Sequence, residues 1–233
     1  MKKQILVLCI LVLISFLSKA QVYENPIAAK QSLSELEITK IEITNSETVI
    51  SLKVTNKLSS GGWFCADKNI YIKNSKGVEI YQLVKSENIP TCPDQFEFAY
   101  SGQILEFKLY FDKISENIKF IDLIENCENS CFSFYGIILD NNHNENIRAF
   151  EKGFELFQNN EFDKSVAYFE NVLEGQNTIE SHIYGLSYYY LILIYDDKGD
   201  KEKVKYLYNK LLNSTIAEKG TFINELKNKV NIQ

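Results

Sequence analysis

The sequence predicts a two-domain protein, with an all-β antiparallel sandwich over residues 33–140 followed by an all-α array of helical hairpins over residues 147–233. Two observations predict this division. Before residue 141, apolar and polar residues alternate every second position, as in strands that bury one face. After it, apolar residues recur with the period of a helix. A chain of 233 residues is long enough for two small domains.

The first twenty residues have the parts of a secretory signal peptide. Two lysines precede an apolar run from Ile5 to Leu17, and Ser18 and Ala20 stand where a signal peptidase requires small side chains. Cleavage is therefore expected before Gln21, with a periplasmic or secreted location for the mature protein. The run is shorter than the ~20 residues of a membrane-spanning helix, so no integral membrane segment is expected after cleavage. An uncleaved anchor is the alternative.

Removal of the signal peptide makes the protein more acidic. It takes away three lysines, so 22 basic residues remain against 31 acidic ones and the formal charge becomes −9. Such a surface repels phosphate backbones and anionic lipids. The composition therefore disfavours nucleic acid and membrane surfaces as partners.

Four cysteines remain after cleavage, and an even number in an exported chain predicts disulfides. Three pairings are possible. We favour Cys65–Cys92 and Cys127–Cys131, because loop-like residues flank each pair and the second pair is only four residues apart. A zinc site is the alternative, but only one cysteine pair is closely spaced and no histidine lies near it in the sequence.

Eight segments of the first domain have the composition of strands, and turn residues separate them. Residues 21–32 are assigned to an N-terminal leader. The predicted strands are 35–43, 50–54, 68–74, 78–84, 95–100, 105–111, 118–124 and 131–139. This pattern predicts an antiparallel sandwich, with a closed barrel as the alternative.

Two short segments carry a resemblance for this domain: the strand end Val54-Thr55-Asn56 and the hairpin Lys76-Gly77-Val78-Glu79. In these segments the domain resembles the small immunoglobulin-like (Ig-like) domains of secreted bacterial proteins. The resemblance implies a fold and no activity. A separate feature is Trp63, which lies between two glycines and Cys65. Such an aromatic loop either binds a carbohydrate or peptide or folds back over the end of the sandwich.

Residues 141–146 are all polar, so they are predicted to be a linker between the domains. Asp140, Asn142 and Asn144 also have the spacing of oxygen ligands in a calcium-binding EF-hand loop. Glu145, however, stands where that loop needs glycine, and the preceding segment is a predicted strand. A solvated linker is therefore the favoured interpretation.

The segment from Gly153 to Ser165 resembles a tetratricopeptide (TPR) helix–turn–helix, with small residues at both ends, an acidic–lysine pair after the turn and Phe169 at the usual aromatic position. A second copy covers Leu191 to Leu212, in which Gly199 corresponds to Asn160. The spacing is 39 residues instead of the family's 34. A third helix over 216–230 is expected to cap the array.

The resemblance implies a concave groove that binds a peptide and is lined by the first helix of each repeat. Carried over by position, the groove residues are Ile147, Phe150, Phe154, Phe157, Leu186, Tyr189 and Leu193. Among the three adjacent tyrosines of the second repeat, Tyr189 is expected to face outward while Tyr188 or Tyr190 packs between helices. The groove either binds a partner or is covered within the chain, by the β domain or by the last helix.

No catalytic motif was found in the sequence. His143 and His182 are the only histidines, and no Gly-x-Ser-x-Gly, His-Glu-x-x-His or P-loop segment is present. The sequence therefore predicts a non-enzymatic adaptor or scaffold that binds a protein partner and uses no cofactor or metal. The alternative is a carbohydrate- or peptide-binding module centred on Trp63. A hydrolase with two carboxylates is a third possibility.

Overall fold

The computed structural model describes residues 20–128, 130–175 and 179–231. The chain divides after Asp140 into two compact units. The described residues of the first, the β unit, form eleven strands, and those of the second, the helical unit, form five helices. This is the predicted order of a β-rich part followed by a helical part. The predicted signal peptide lies outside the described residues, apart from Ala20.

The strands match the eight predicted ones and add three that the sequence did not predict. In chain order they are β1 (Gln21–Glu24), β2 (Ala28–Gln31), β3 (Leu36–Ile43), β4 (Glu47–Thr55), β5 (Trp63–Phe64), β6 (Ile70–Asn74), β7 (Ile80–Glu87), β8 (Phe96–Glu97), β9 (Ile104–Asp112), β10 (Phe120–Glu125) and β11 (Ser133–Ile138). The predicted leader 21–32 is wrong, because it contains β1 and β2. These two strands join the sheet through backbone pairing while most of their side chains stay partly or fully exposed, so they lack a clear alternating pattern.

Nine strands form one curled antiparallel sheet in the order β1-β3-β4-β9-β7-β6-β10-β11-β2, and β5 pairs with β8 in a separate ribbon. The first half of β7 pairs with β6 and its second half with β9. The sheet curls strongly, because β1 and β2 lie at its opposite edges yet only three residues connect them. An extended chain of that length spans at most about 14 Å.

The curled sheet encloses one apolar core. Along β9, the inward-facing Leu105, Phe107, Leu109 and Phe111 are buried and alternate with more exposed residues. Residues of the same kind from β3, β4, β6 and β10 complete the core. The period-two pattern of the sequence therefore identified the buried face of these strands.

The helical unit contains α1 (Asn141–Gln158), α2 (Phe162–Glu174), α3 (His182–Asp197), α4 (Lys201–Asn213) and α5 (Lys219–Lys229). Three residues separate α1 from α2 and α3 from α4. In both turns the middle residue is left-handed, with φ of 61° at Asn160 and 75° at Gly199. Of the described helices, none is both long and apolar enough to span a membrane.

The predicted linker 141–146 is wrong, since these residues form the first turns of α1. Three of their polar side chains, His143, Asn144 and Asn146, are buried, and they take part in hydrogen bonds. Asn146 Nδ2 donates to the carbonyl of Gly175 at 2.7 Å and to the hydroxyl of Tyr184 at 3.2 Å. His143 Nδ1 lies 3.2 Å from the same hydroxyl. The helical backbone here also excludes the EF-hand loop that the oxygen spacing allowed.

Candidate functional site

Trp63, the only tryptophan in the chain, projects outward at one end of the β unit. It lies in β5, opposite Glu97 of β8, and its side chain is 52% exposed. The next residue, Phe64, points inward, with its ring centroid 5.8 Å from that of Phe107 and 6.1 Å from that of Phe132. Because successive strand residues face opposite sides, Phe64 covers the core and leaves Trp63 to the solvent. The fold-back alternative for Trp63 is therefore wrong.

A buried asparagine holds the loops beside Trp63. Asn56, which is 5% exposed, donates from Nδ2 to the carbonyls of Gly61 at 3.2 Å and Tyr100 at 2.9 Å. Its Oδ1 accepts the backbone N–H of Leu58 at 3.1 Å. Gly62 has φ of 111°, and a Cβ there would lie 2.7 Å from Asn56 Oδ1, so only glycine fits this approach. These bonds fix the backbone that presents Trp63.

A cleft of about 960 Å³ lies on one side of Trp63. We call it the acidic cleft, because Asp67, Glu125 and Glu128 line it and its described lining contains no lysine, arginine or histidine. The amides of Asn69 and Gln95 add further polar groups. The cleft volume is in the range typical of ligand pockets, roughly 300–1,000 Å³.

Two disulfides form part of the wall of the acidic cleft. Cys65 is bonded to Cys92 and Cys127 to Cys131, which are the two pairings that the sequence analysis favours. Cys65 follows Trp63 by two residues, so the first bond anchors β5 directly. Because these four cysteines are in disulfides, none of the four is available to bind zinc.

Glu125 joins two loops of this wall. Its Oε1 accepts the backbone N–H of Asp67 at 2.8 Å, and its Oε2 accepts that of Phe132 at 3.0 Å. The side chain is buried, and burial raises the pKa of the carboxyl above its ordinary value of 4.5, against the opposing effect of the two N–H groups. Glu125 therefore has a structural role, and Asp67 and Glu128 are the more exposed carboxylates of the cleft.

The replacement Glu125→Gln tests this role through the pH dependence of stability. At pH 4 we expect the free energy of unfolding of the variant to be about 1 kcal/mol lower, because its amide nitrogen cannot accept a backbone N–H, whereas the hydroxyl oxygen of the protonated carboxyl still can. A raised folded-state pKa means that protonation stabilises the wild type at low pH, and that this contribution is lost as pH rises through the folded-state pKa. The difference in free energy of unfolding between wild type and variant should therefore narrow between pH 4 and pH 7, as measured by urea titration. If this difference widened with pH, the raised pKa of Glu125 would be contradicted.

A second cleft, of about 490 Å³, is also lined by Trp63. We call it the apolar cleft, because Val54, Leu58 and Phe98 contribute to its lining together with Trp63. At its rim, Lys57 Nζ lies 3.6 Å from Glu35 Oε1, so the two charges compensate each other. Trp63 lines both clefts, as do Leu33 and Phe64.

In the helical unit, six of the seven predicted groove residues are half-buried: Ile147, Phe150, Phe154, Phe157, Leu186 and Leu193. The seventh, Tyr189, was predicted to face outward, but it is only 7% exposed, and its hydroxyl accepts a hydrogen bond from Lys229 Nζ at 2.6 Å. That prediction is wrong. The last helix, α5, covers this tyrosine.

The aromatic residue that joins the predicted groove is Tyr190, which sequence reasoning missed. Its ring centroid lies 4.8 Å from that of Phe157, 5.3 Å from that of Phe154 and 5.4 Å from that of the buried Phe169. Burial raises the pKa of its hydroxyl. Leu186, Tyr190 and Leu193 have helical spacing just as Leu186, Tyr189 and Leu193 do, so the pattern alone could not choose between the two tyrosines.

The two histidines lie in different surroundings. His143 is buried beside Tyr184, whereas the exposed His182 has its Nδ1 3.1 Å from Glu218 Oε2. Within the described ranges, no group of three or more His, Cys, Asp or Glu side chains is placed to hold a metal ion.

The chain was compared with protein-family models, with curated proteins and with solved structures, and none of the three comparisons gave a match.

Proposed function

We propose that this is an exported, non-enzymatic interaction protein that binds its partner at the Trp63 end of the β unit. The observation that carries the proposal is the exposed Trp63 side chain, which lines two clefts and lies on a backbone fixed by Asn56. Tryptophan is enriched among the residues that dominate binding energy at interfaces. A preformed site also avoids part of the entropic cost of binding.

Export is supported by the signal-peptide pattern of residues 1–20 and by the two disulfides, which fit an oxidising compartment. The strand order supports an immunoglobulin-like β unit. Strands β3, β4, β9 and β7 are neighbours in the order A-B-E-D of such domains, and β6, β10 and β11 are neighbours in the order C-F-G. In such domains, loops at the ends of the sandwich are a common place for binding.

The replacement Trp63→Ala should strongly weaken partner binding without unfolding the protein. We expect at least a 30-fold loss of affinity, because an interface tryptophan commonly contributes 2 kcal/mol or more. Tyr206→Ala is the matched control, since Tyr206 is also aromatic and 51% exposed but lies in the helical unit. Wild type and both variants would be immobilised and exposed to the periplasmic or secreted fraction, with bound proteins quantified by mass spectrometry. Equal capture by all three proteins would reject the proposal.

The second candidate is a partner groove on the helical unit, as the TPR resemblance implies. The cluster of Phe150, Phe154, Phe157 and Tyr190 favours it, because these large aromatic side chains are only half-buried. A TPR-like first hairpin is supported by Gly153 and Ser165, since Ser165 Oγ donates to the carbonyl of Gly153 at 2.9 Å. Including Phe154→Ala in the same capture experiment distinguishes the two candidates. Capture lost in Phe154→Ala and kept in Trp63→Ala would favour the groove.

A further inference from the structure

We infer that the Trp63 end binds an extended peptide that places a lysine or arginine in the acidic cleft and an apolar side chain in the apolar cleft. This inference rests on the proposed function and specifies its ligand. The two clefts differ in chemistry, and Trp63 lines both of them. A ligand that fills both must therefore pass Trp63 and present a different group to each cleft.

The charge of the acidic cleft selects a cation for that side. Asp67 and Glu128 line the cleft, and the exposed Glu97 pairs with Trp63 from the neighbouring strand. The ion pairs found among the described residues involve none of these three carboxylates. A cleft lined by one sign of charge concentrates ligands of the opposite sign, and the net charge of the chain, −6, adds to the attraction.

The Trp63 ring strengthens the same preference. An ammonium or guanidinium group within about 6 Å of an aromatic ring is attracted to its face, and tryptophan is the strongest of the aromatic side chains in this respect. The alkyl chain of lysine or arginine also covers apolar surface while its charged end remains near carboxylates. A neutral sugar could stack on the ring, but it would gain little from the negative charge of the cleft.

The apolar cleft selects an uncharged side chain. Leu58 and Val54 line it, and the rim charges of Lys57 and Glu35 compensate each other. In an extended peptide, alternate side chains lie on the same face about 6.6 Å apart. Leu33, Trp63 and Phe64 line both clefts, so the two clefts adjoin. The apolar residue and the basic residue are therefore expected at positions two apart.

The test uses the fluorescence of Trp63, which is the chain's only tryptophan and so reports on this site alone. The probe is an acetylated and amidated peptide, Ser-Leu-Gly-Lys-Ser. We expect it to change Trp63 fluorescence saturably, and norleucine in place of its lysine should weaken binding at least tenfold. Raising the salt from about 20 mM to 500 mM should also weaken the lysine peptide, because salt screens the attraction. Cellohexaose is the neutral glycan probe.

Protein variants then assign the lysine to the acidic cleft. Asp67→Asn with Glu128→Gln should weaken the lysine peptide about tenfold and leave the norleucine peptide unchanged. The Oδ1 of asparagine can still accept the backbone N–H of Asn69, which Asp67 accepts at 2.7 Å, so the fold is expected to persist. The matched control is Glu106→Gln with Asp112→Asn, which removes two exposed carboxylates of β9 outside both clefts.

The outcomes separate this inference from the proposed function. If the norleucine peptide or cellohexaose binds as tightly as the lysine peptide, the cationic ligand is wrong and the Trp63 site remains. If no probe binds while Trp63→Ala loses partner capture, the peptide inference alone is overturned. If no probe binds and Trp63→Ala captures partners as the wild type does, both proposals fall.

Discussion

Replacing Cys65 and Cys92 together by alanine is expected to lower the free energy of unfolding of the β unit by about 3.5 kcal/mol. The bond closes a loop across 27 residues of sequence, so its loss returns considerable conformational entropy to the unfolded chain. Trp63 lies in this unit, and its fluorescence in urea titrations follows the unfolding of the β unit.

The second disulfide provides the matched comparison. Cys127 and Cys131 are four residues apart, and the same entropic relation gives about 2 kcal/mol for their joint replacement by alanine. Removal of either bond should also alter the acidic cleft, because Cys65, Cys92 and Cys127 line it. If the short loop proved the more stabilising, loop-closure entropy would not be the main contribution of these bonds.

The replacement Phe169→Ala is expected to lower the free energy of unfolding of the helical unit by about 3–5 kcal/mol. Phe169 has no exposed surface, and its ring centroid lies 5.7 Å from that of Phe150 and 5.4 Å from that of Tyr190. Its ring also packs closely on the backbone of α1, since a Cβ on Gly153 would lie only 3.0 Å from the ring. The deletion therefore leaves a cavity between helices.

Circular dichroism at 222 nm measures this effect, because the helices belong to the helical unit. Tyr168→Ala is the control: Tyr168 is the preceding residue on the same helix and is 37% exposed. We expect its replacement to cost less than about 1 kcal/mol, as is usual for a surface position. Equal losses for the two variants would mean that Phe169 is not the centre of the packing between α1, α2 and α3.

Much of the fold could be predicted from local patterns. The alternation along β9 and the 3.6-residue period of α1 and α2 each mark which residues are buried, because a regular backbone turns its side chains toward the core at fixed intervals. The turn residues Asn160 and Gly199 were also informative, since few residues adopt the left-handed conformation. The disulfide pairing that short spacing favours is the one in the structure.

Other features depend on contacts between distant residues. β1 and β2 are strands because β3 and β11 offer them unpaired backbone edges, which no local pattern records. Residues 141–146 are helical because the carbonyl of Gly175 and the hydroxyl of Tyr184 accept hydrogen bonds from the side chain of Asn146. Polar composition alone could not distinguish side chains that bond to such partners from side chains that bond to water.

For the candidate site, the sequence by itself determined that a single tryptophan lies between two glycines and a cysteine, in a chain that is acidic overall. Only the tertiary structure decided that Phe64 covers the core while Trp63 faces outward, and that carboxylates from two segments, Asp67 in one and Glu125 with Glu128 in the other, meet beside it. The reason is physical: a cleft is formed by the packing of segments far apart in the chain. Periodicity and motifs describe only neighbours in sequence.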